Sequence, residues 1–291
     1  MTVRGLRLLD AQGQAVTPGD QDGGDCFSGL PVVEDVRGRF PDDLSACRWA
    51  IEHLLPGCDR GLVFSAGHSH GDVWIGGDGA ITIGLDLVVA RKGFVFNLSP
   101  QASDWHRDGK PVPGYPEQAA LFSEVMEALD RPAAVYGWAE PESVYCDRVS
   151  RGGNFIMCSA APNTSLWAKV PTDGDLRLPK QPARQSPLES EYYIVFQTNE
   201  GDTPKILASA FNGAWPAPAR GSVPVAWGIN PLIAREMPAL FEYFVRTATA
   251  NDTFFAGCSG AGYCYPFHMP NFEDYTRHVA RQVSEFGPQV V

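Results

Sequence analysis

Seven short runs of β-branched and aromatic residues, at 62–66, 94–98, 134–138, 155–159, 192–198, 223–229 and 253–258, alternate with segments of helical spacing, and this alternation constrains the fold more than any other feature. Candidate helices lie at 85–92, 116–129, 141–151, 204–211, 233–247 and 272–286. Each run is generally followed by a helix, the pattern of parallel βα units. The expected architecture is α/β, a distorted or incomplete (β/α) barrel with about seven strands. An open doubly wound sheet fits the same alternation and would gather its ligand-binding residues at a switch point instead of around a closed mouth.

Residues 1–44 are rich in Gly, Asp and Pro, with little periodicity beyond one strand-like run at 3–9. They read as an irregular N-terminal extension, and 45–291 as the barrel-like domain. Helical spacing begins near Asp43, where Asp42 or Asp43 is placed to cap a helix over 44–55 before Pro56 and Gly57 stop it. The stretch 161–190 is rich in Pro and polar residues and too long for an ordinary connection, so it reads as a loop over the site or a small excursion.

A net charge of −11 argues against nucleic acid as a partner, since phosphate contacts need clustered Lys and Arg. No apolar run approaches the roughly 20 residues that span a bilayer. The first residues lack the long apolar core and small-residue cleavage site of a secretory signal, so the expectation is a cytoplasmic protein with no membrane partner. The seven cysteines, Cys26, Cys47, Cys58, Cys146, Cys158, Cys258 and Cys264, show no C-x-x-C spacing and read as buried reduced thiols rather than zinc ligands. No cofactor is expected.

Parallel strands bring their C-terminal ends to one face, so the polar residues just after each run define the chemistry. His68, Ser69, His70 and Asp72 follow the first run, Asn97 and Ser99 the second, Trp138 and Glu140 the third, and Asn163 and Ser165 the fourth. Asn199, Glu200 and Asp202 follow the fifth, Trp227 and Asn230 close the sixth, and Ser259, Tyr263 and Tyr265 follow the seventh. Carboxylates, amides and aromatic rings together suit a sugar, whose apolar ring faces stack on indole and phenol while its hydroxyls pair with the polar groups. Strand ends also carry polar residues because they meet water.

Glu200 and Asp202 are the sharpest pair. Two residues apart on an extended chain, they share a face with Cα atoms roughly 6.5–7 Å apart. One carboxyl then protonates a leaving oxygen while its ionised neighbour activates water or stabilises positive charge. A divalent-cation site and a solvated turn are the alternatives. Glu140 is the candidate catalytic partner across the barrel, with Glu142 able to replace it, and a helix-opening role beside Pro141 as the structural alternative. Trp138, Trp227, Asn230, Asn163, Ser259, Tyr263, Tyr265 and His68 are the expected substrate-binding residues. His68, His70 and Asp72 have the alternating spacing of a metal cluster, but the remaining histidines do not follow strands, so a polar loop is preferred and no metal is assigned. The stretch 257–261 misses the G-x-S-x-G nucleophile elbow at its last position, and phosphate-loop patterns are absent.

The seventh run ends in Gly257-Cys258-Ser259-Gly260-Ala261-Gly262-Tyr263-Cys264-Tyr265-Pro266. Either Gly260 and Gly262 supply turn conformations closed to other residues while the tyrosines pack on the body, or this strand end is a ligand site. The stretch spells G-x-G-Y-x-Y-P and resembles the signature of the GxGYxYP putative glycoside hydrolase family. Val225-Ala226-Trp227-Gly228-Ile229-Asn230-Pro231 resembles the family's P-W-x-x-x-P strand, Met237-Pro238-Ala239-Leu240 its helix start, and Ala248-Thr249-Ala250-Asn251-Asp252-Thr253-Phe254 its A-T-x-N-D-x-F strand. Asn199-Glu200-Gly201-Asp202 is similar to its S-D-G-D-N acidic turn, with Glu200 in place of the first Asp and Thr203 in place of the Asn. Trp138 and Glu140 resemble its G-W position and the acidic residue after it. The resemblance implies a carbohydrate-active enzyme, a glycoside hydrolase acting on a small-molecule or oligosaccharide substrate. The departures at the acidic turn leave two alternatives, a biosynthetic lyase or cyclase that uses the same carboxylates for proton transfer, and a non-catalytic sugar-binding protein.

Overall fold

A computed structural model describes residues 35–36, 38–66, 84–107, 110–157, 163–179, 189–198, 211–257 and 259–288. By its contacts the chain divides after Pro41, and the α/β unit begins at Asp42. Helix α1 (Asp43–His53) starts where the Asp42 carboxylate accepts a hydrogen bond from the Ser45 N–H at 2.7 Å, an N-cap that satisfies one of the helix's unpaired donors. A single 3₁₀ turn, Leu55–Gly57, leads into β1 (Asp59–Ser65). Next come α2 (Leu85–Ala90), β2 (Gly93–Phe96), a hairpin of β3 (Trp105–Arg107) and β4 (Lys110–Val112), α3 (Pro116–Ala128), β5 (Ala134–Gly137), α4 (Glu142–Arg151), β6 (Phe155–Met157) and α5 (Thr164–Trp167). The second half holds β7 (Gln197–Thr198), α6 (Phe211–Ala214), β8 (Val225–Ile229), α7 (Ile233–Glu236), α8 (Pro238–Thr247), β9 (Asp252–Ala256) and α9 (Phe272–Phe286).

The strands form a four-stranded parallel sheet ordered β2-β1-β5-β6 and a three-stranded parallel sheet ordered β7-β8-β9, with the β3-β4 hairpin apart. Every run read as a strand contributes one, although the fifth shrinks to Gln197–Thr198 and leaves Tyr192, Tyr193, Ile194, Val195 and Phe196 exposed ahead of it. Side chains alternate across the first sheet. Leu62, Phe64, Tyr136, Phe155 and Met157 enter one core, while Val63, Phe94, Phe96, Val135 and Ile156 enter the other. Helices α3 and α4 and part of α1 cover the second of these cores, and Val88 of α2, Leu232 and Tyr275 of α9 help close the first. Cover on both faces explains why β1 reads as an unbroken apolar run.

The strand order corrects the expected barrel. Sequential winding of a cylinder would place β2 between β1 and the next parallel strand, β5. Instead β1 lies between them, with helices on both faces, and no closed sheet forms among the described residues. This is the open, doubly wound order, in which successive connections leave the central strand toward opposite faces.

The three-stranded sheet packs Trp227, Ile229 and Phe254 with Trp215, with Phe241 and Phe244 of α8, and with Phe286 of α9. The helix expected over 233–247 is two helices. Pro238 has no N–H to donate and disfavours helical geometry in the residue before it, so Met237 takes φ −139° and ψ 64° and the axis breaks there. The helix expected over 204–211 lies outside the described residues except for Phe211, which opens α6. Among the described residues, no helix is long and apolar enough to cross a membrane.

Candidate active site

In the order β2-β1-β5-β6, the connections from β1 and β5 diverge, so their C-terminal ends form a switch point, the place where sheets of this order bind ligands in a crevice. Ser65 and Gly137 are hydrogen-bond-ladder partners at that end. Gly137 has φ +82°, and a Cβ there would collide with the Ser65 carbonyl oxygen, so only glycine lets the chain turn at this point. The turn delivers Trp138 and Glu140. The Trp138 indole N–H donates to Glu140 Oε1 at 3.4 Å, and the Glu142 backbone N–H donates to Oε2 at 3.2 Å, so both carboxylate oxygens are held. Trp138 also meets Tyr145 edge-on, at 5.7 Å between ring centroids. Beside it, Glu142 Oε1 accepts from the Tyr263 hydroxyl at 2.8 Å. Burial, then the bond to Glu142, raises the Tyr263 pKa, so this phenol stays a donor. An oriented half-buried carboxylate, an exposed one, an indole and a phenol thus share one corner of the sheet.

The G-x-G-Y-x-Y-P stretch builds that corner. Gly260 (φ +93°) would place a Cβ 2.8 Å from Val279 Cγ1, and Gly262 (φ +102°) would drive one into the Phe155 ring. Tyr263 then pairs with Ile156 as an antiparallel bridge, its N–H donating at 2.9 Å and its carbonyl accepting at 2.8 Å, which covers the free edge of β6. Ser259 Oγ closes the turn by accepting from the Cys264 N–H at 3.1 Å and donating to the Cys264 carbonyl at 2.7 Å. The Tyr275 hydroxyl of α9 donates to the Ser259 carbonyl at 2.8 Å. The motif's glycines and Ser259 therefore serve packing, and Tyr263 carries the stretch to Glu142, beside Glu140. Burial pushes the Cys146 thiol up to about 12 and the Cys264 thiol up to about 11, so both stay protonated and unreactive.

The remaining sequence-read residues scatter. Glu200, Asp202 and His68 lie outside the described residues, as do His70 and Asp72. Trp227 is a core residue, 5.1 Å from Trp215 between ring centroids, its indole N–H donating to Asp252 Oδ1 at 2.8 Å. Asp252 also accepts from the Thr249 N–H and hydroxyl at 2.7 and 2.8 Å and pairs with Arg220. Burial opposes its ionisation, but these partners together hold its pKa below the ordinary carboxylate value. The A-T-x-N-D segment thus fixes the N-terminal end of β9, away from the C-terminal strand ends. Asn230 is buried, with Oδ1 accepting from the Leu232 N–H at 3.1 Å and Nδ2 lying 3.5 Å from Met157 Sδ, which ties the ends of β8 and β6 together. Asn163 is exposed at φ 63° before α5. Tyr265 donates its N–H to Ser150 Oγ at 2.8 Å and sets its ring edge-on to His268, whose Nδ1 lies 2.6 Å from Asp147 Oδ1. Among the described residues, no three His, Cys, Asp or Glu side chains are grouped to hold a metal ion.

A second acid was not read from the sequence. Glu236, at the end of α7, is buried against β5, where the Tyr136 hydroxyl donates to its Oε1, and its Oε2 has no hydrogen-bond partner. Burial pushes the Glu236 carboxyl up to about 7 against the opposing effect of the Tyr136 bond, and burial likewise raises the Tyr136 phenol well above its usual value.

Residues 190–291 match the family described as the GxGYxYP putative glycoside hydrolase C-terminal domain. The fold is similar to the crystal structure of a putative hydrolase from Bacteroides thetaiotaomicron VPI-5482, with a TM-score of 0.64 and 17% sequence identity over 83% of this chain. The chain spans 43% of that protein's length. No curated protein matches the chain. At that identity the likeness carries the mixed α/β fold, while the family match names a hydrolase class for the C-terminal third.

Proposed function

We propose that this protein is a carbohydrate-active enzyme, a glycoside hydrolase whose substrate lies over the crevice after β1 and β5, with Glu140, Glu200 and Asp202 as its acid/base or nucleophilic carboxylates. The observation that carries the reading is the Trp138–Glu140 pair at the switch point. There an indole offers a surface for the apolar face of a sugar, and a carboxylate is held by two N–H groups. The family match over 190–291, which contains Glu200 and Asp202, supports the same reaction class. In such enzymes one carboxylic acid protonates the leaving oxygen and the other attacks the sugar or activates water. A spacing of about 5–5.5 Å gives retention and about 6.5–9.5 Å gives inversion. Tyr263 and Glu142 flank the crevice and bind sugar hydroxyls, and the partner is an oligosaccharide or smaller glycoside rather than a nucleic acid or a membrane. Hydrolysis of an oligosaccharide panel by the wild type and by Glu140→Gln, Glu200→Gln and Asp202→Asn tests this. Losses of at least about 100-fold are expected for the residues that transfer protons. Undiminished turnover in all three variants removes the reading.

A further inference from the structure

The Glu236–Tyr136 pair lies in the wall of a cavity apart from the strand ends of β1 and β5. It has a volume of about 390 Å³ and lies between β5, β6, α2, α5 and α7, on the sheet face opposite α3 and α4. Glu236 is 4% exposed, and its Oε2 is left without the partner that buried polar atoms ordinarily have. Arg91, Lys169 and Arg235 also line the space. Arg91 reaches Asp59 at 2.8 Å and Arg235 reaches Glu285 at 2.6 Å, each through Nη2, so each guanidinium keeps further N–H donors. Lys169 has no carboxylate partner among the described residues. Phe155 and its apolar neighbours supply the rest of the wall.

We propose that this cavity is a ligand site distinct from the crevice, which takes a small hydroxylated anion, its hydroxyl directed at the Glu236 carboxyl in the cavity wall and its carboxylate or phosphate placed among Lys169, Arg91 and Arg235. A hydroxyl suits this position because it donates to an ionised carboxyl and accepts from a protonated one. An amine would bring positive charge to a wall that already holds three cations and one acid. The volume falls within the usual range for small-molecule sites and accommodates a hexose-sized acid or phosphate ester.

Calorimetric titration of the full chain with D-glucuronate, D-glucose 6-phosphate and neutral D-glucose tests the site by binding alone, so its outcome is independent of hydrolysis at the crevice. Saturable binding of at least one anion is expected, with D-glucose silent at the same concentrations, and the tighter anion identifies the head group. Lys169→Ala and Glu236→Leu each weaken that binding by about tenfold. Ala168→Trp, which fills the space from beside α5, abolishes it and stands in if Glu236→Leu does not fold. The proposal is overturned if neither anion binds up to about 10 mM, if D-glucose binds as tightly as the anions, or if the variants bind as the wild type does.

Discussion

Glu140 in the strand-end crevice and Glu236 in the cavity beneath the sheet are the same side chain in opposite surroundings. Both oxygens of Glu140 accept from N–H groups, and the exposed Glu142 sits beside it. Glu236 has one oxygen on a phenol and the other without a hydrogen-bond partner, buried in the cavity wall. The contrast shows that surroundings, more than residue type, separate a carboxylate held by two N–H groups at the strand ends from one whose ionised form burial opposes.

The largest effect that would sharpen this contrast is catalytic. Glu140→Gln is expected to lower kcat/KM for glycoside hydrolysis by about 100- to 10,000-fold while the melting temperature stays near that of the wild type. Wild-type turnover in this variant would break the contrast by moving the chemistry elsewhere. Gly137→Ala strikes the backbone that aims Trp138 and Glu140. A Cβ at positive φ against the Ser65 carbonyl should cost roughly 3 kcal/mol in urea unfolding.

Glu236 gives the opposite signature, a pH dependence of stability. Its folded carboxyl holds a proton up to about pH 7, well above the unfolded chain's carboxyl. Its contribution is therefore complete below the unfolded value and is lost as pH rises through about 7. Wild-type unfolding free energy should fall by on the order of 2–3 kcal/mol between about pH 4 and pH 8 from this group. Glu236→Gln should remove that slope, and equal slopes in the two proteins would show that Glu236 is not desolvated. The smallest effect is expected at Tyr263→Phe, which removes the hydroxyl bonded to Glu142 but keeps the backbone bridge to Ile156. A loss of about 1 kcal/mol or less in thermal unfolding is expected, and a larger one would mean the phenol holds the β6 edge itself.

Much of the fold was legible because strand and helix leave separate periods in the sequence. The apolar run of β1 and the proline opening α3 mark their elements directly. Pairing order left no such trace. Whether β2 joins the inner or outer side of β1 depends on which face each helix buries, and the alternation of elements is the same for a barrel and an open sheet. The placement of Trp138 and Glu140 at a strand end was legible because they directly follow the apolar run of β5. Trp227 was misjudged as pocket-lining, although its period-two spacing with Val225 and Ile229 places it on the core side of β8. Glu236 was hidden by reading 233–247 as one continuous helix. Its spacing of four from Leu232 and three from Ile233, with Pro238 just beyond, was the available sign of a short buried turn.

The division between crevice and cavity is tested most directly by a crystal structure of the protein with a bound neutral oligosaccharide. The expected result is a sugar ring against the Trp138 indole, with a glycosidic oxygen within hydrogen-bond reach of Glu140 and the Glu236 cavity free of sugar. A sugar seated beside Glu236, with nothing over Trp138, would contradict it.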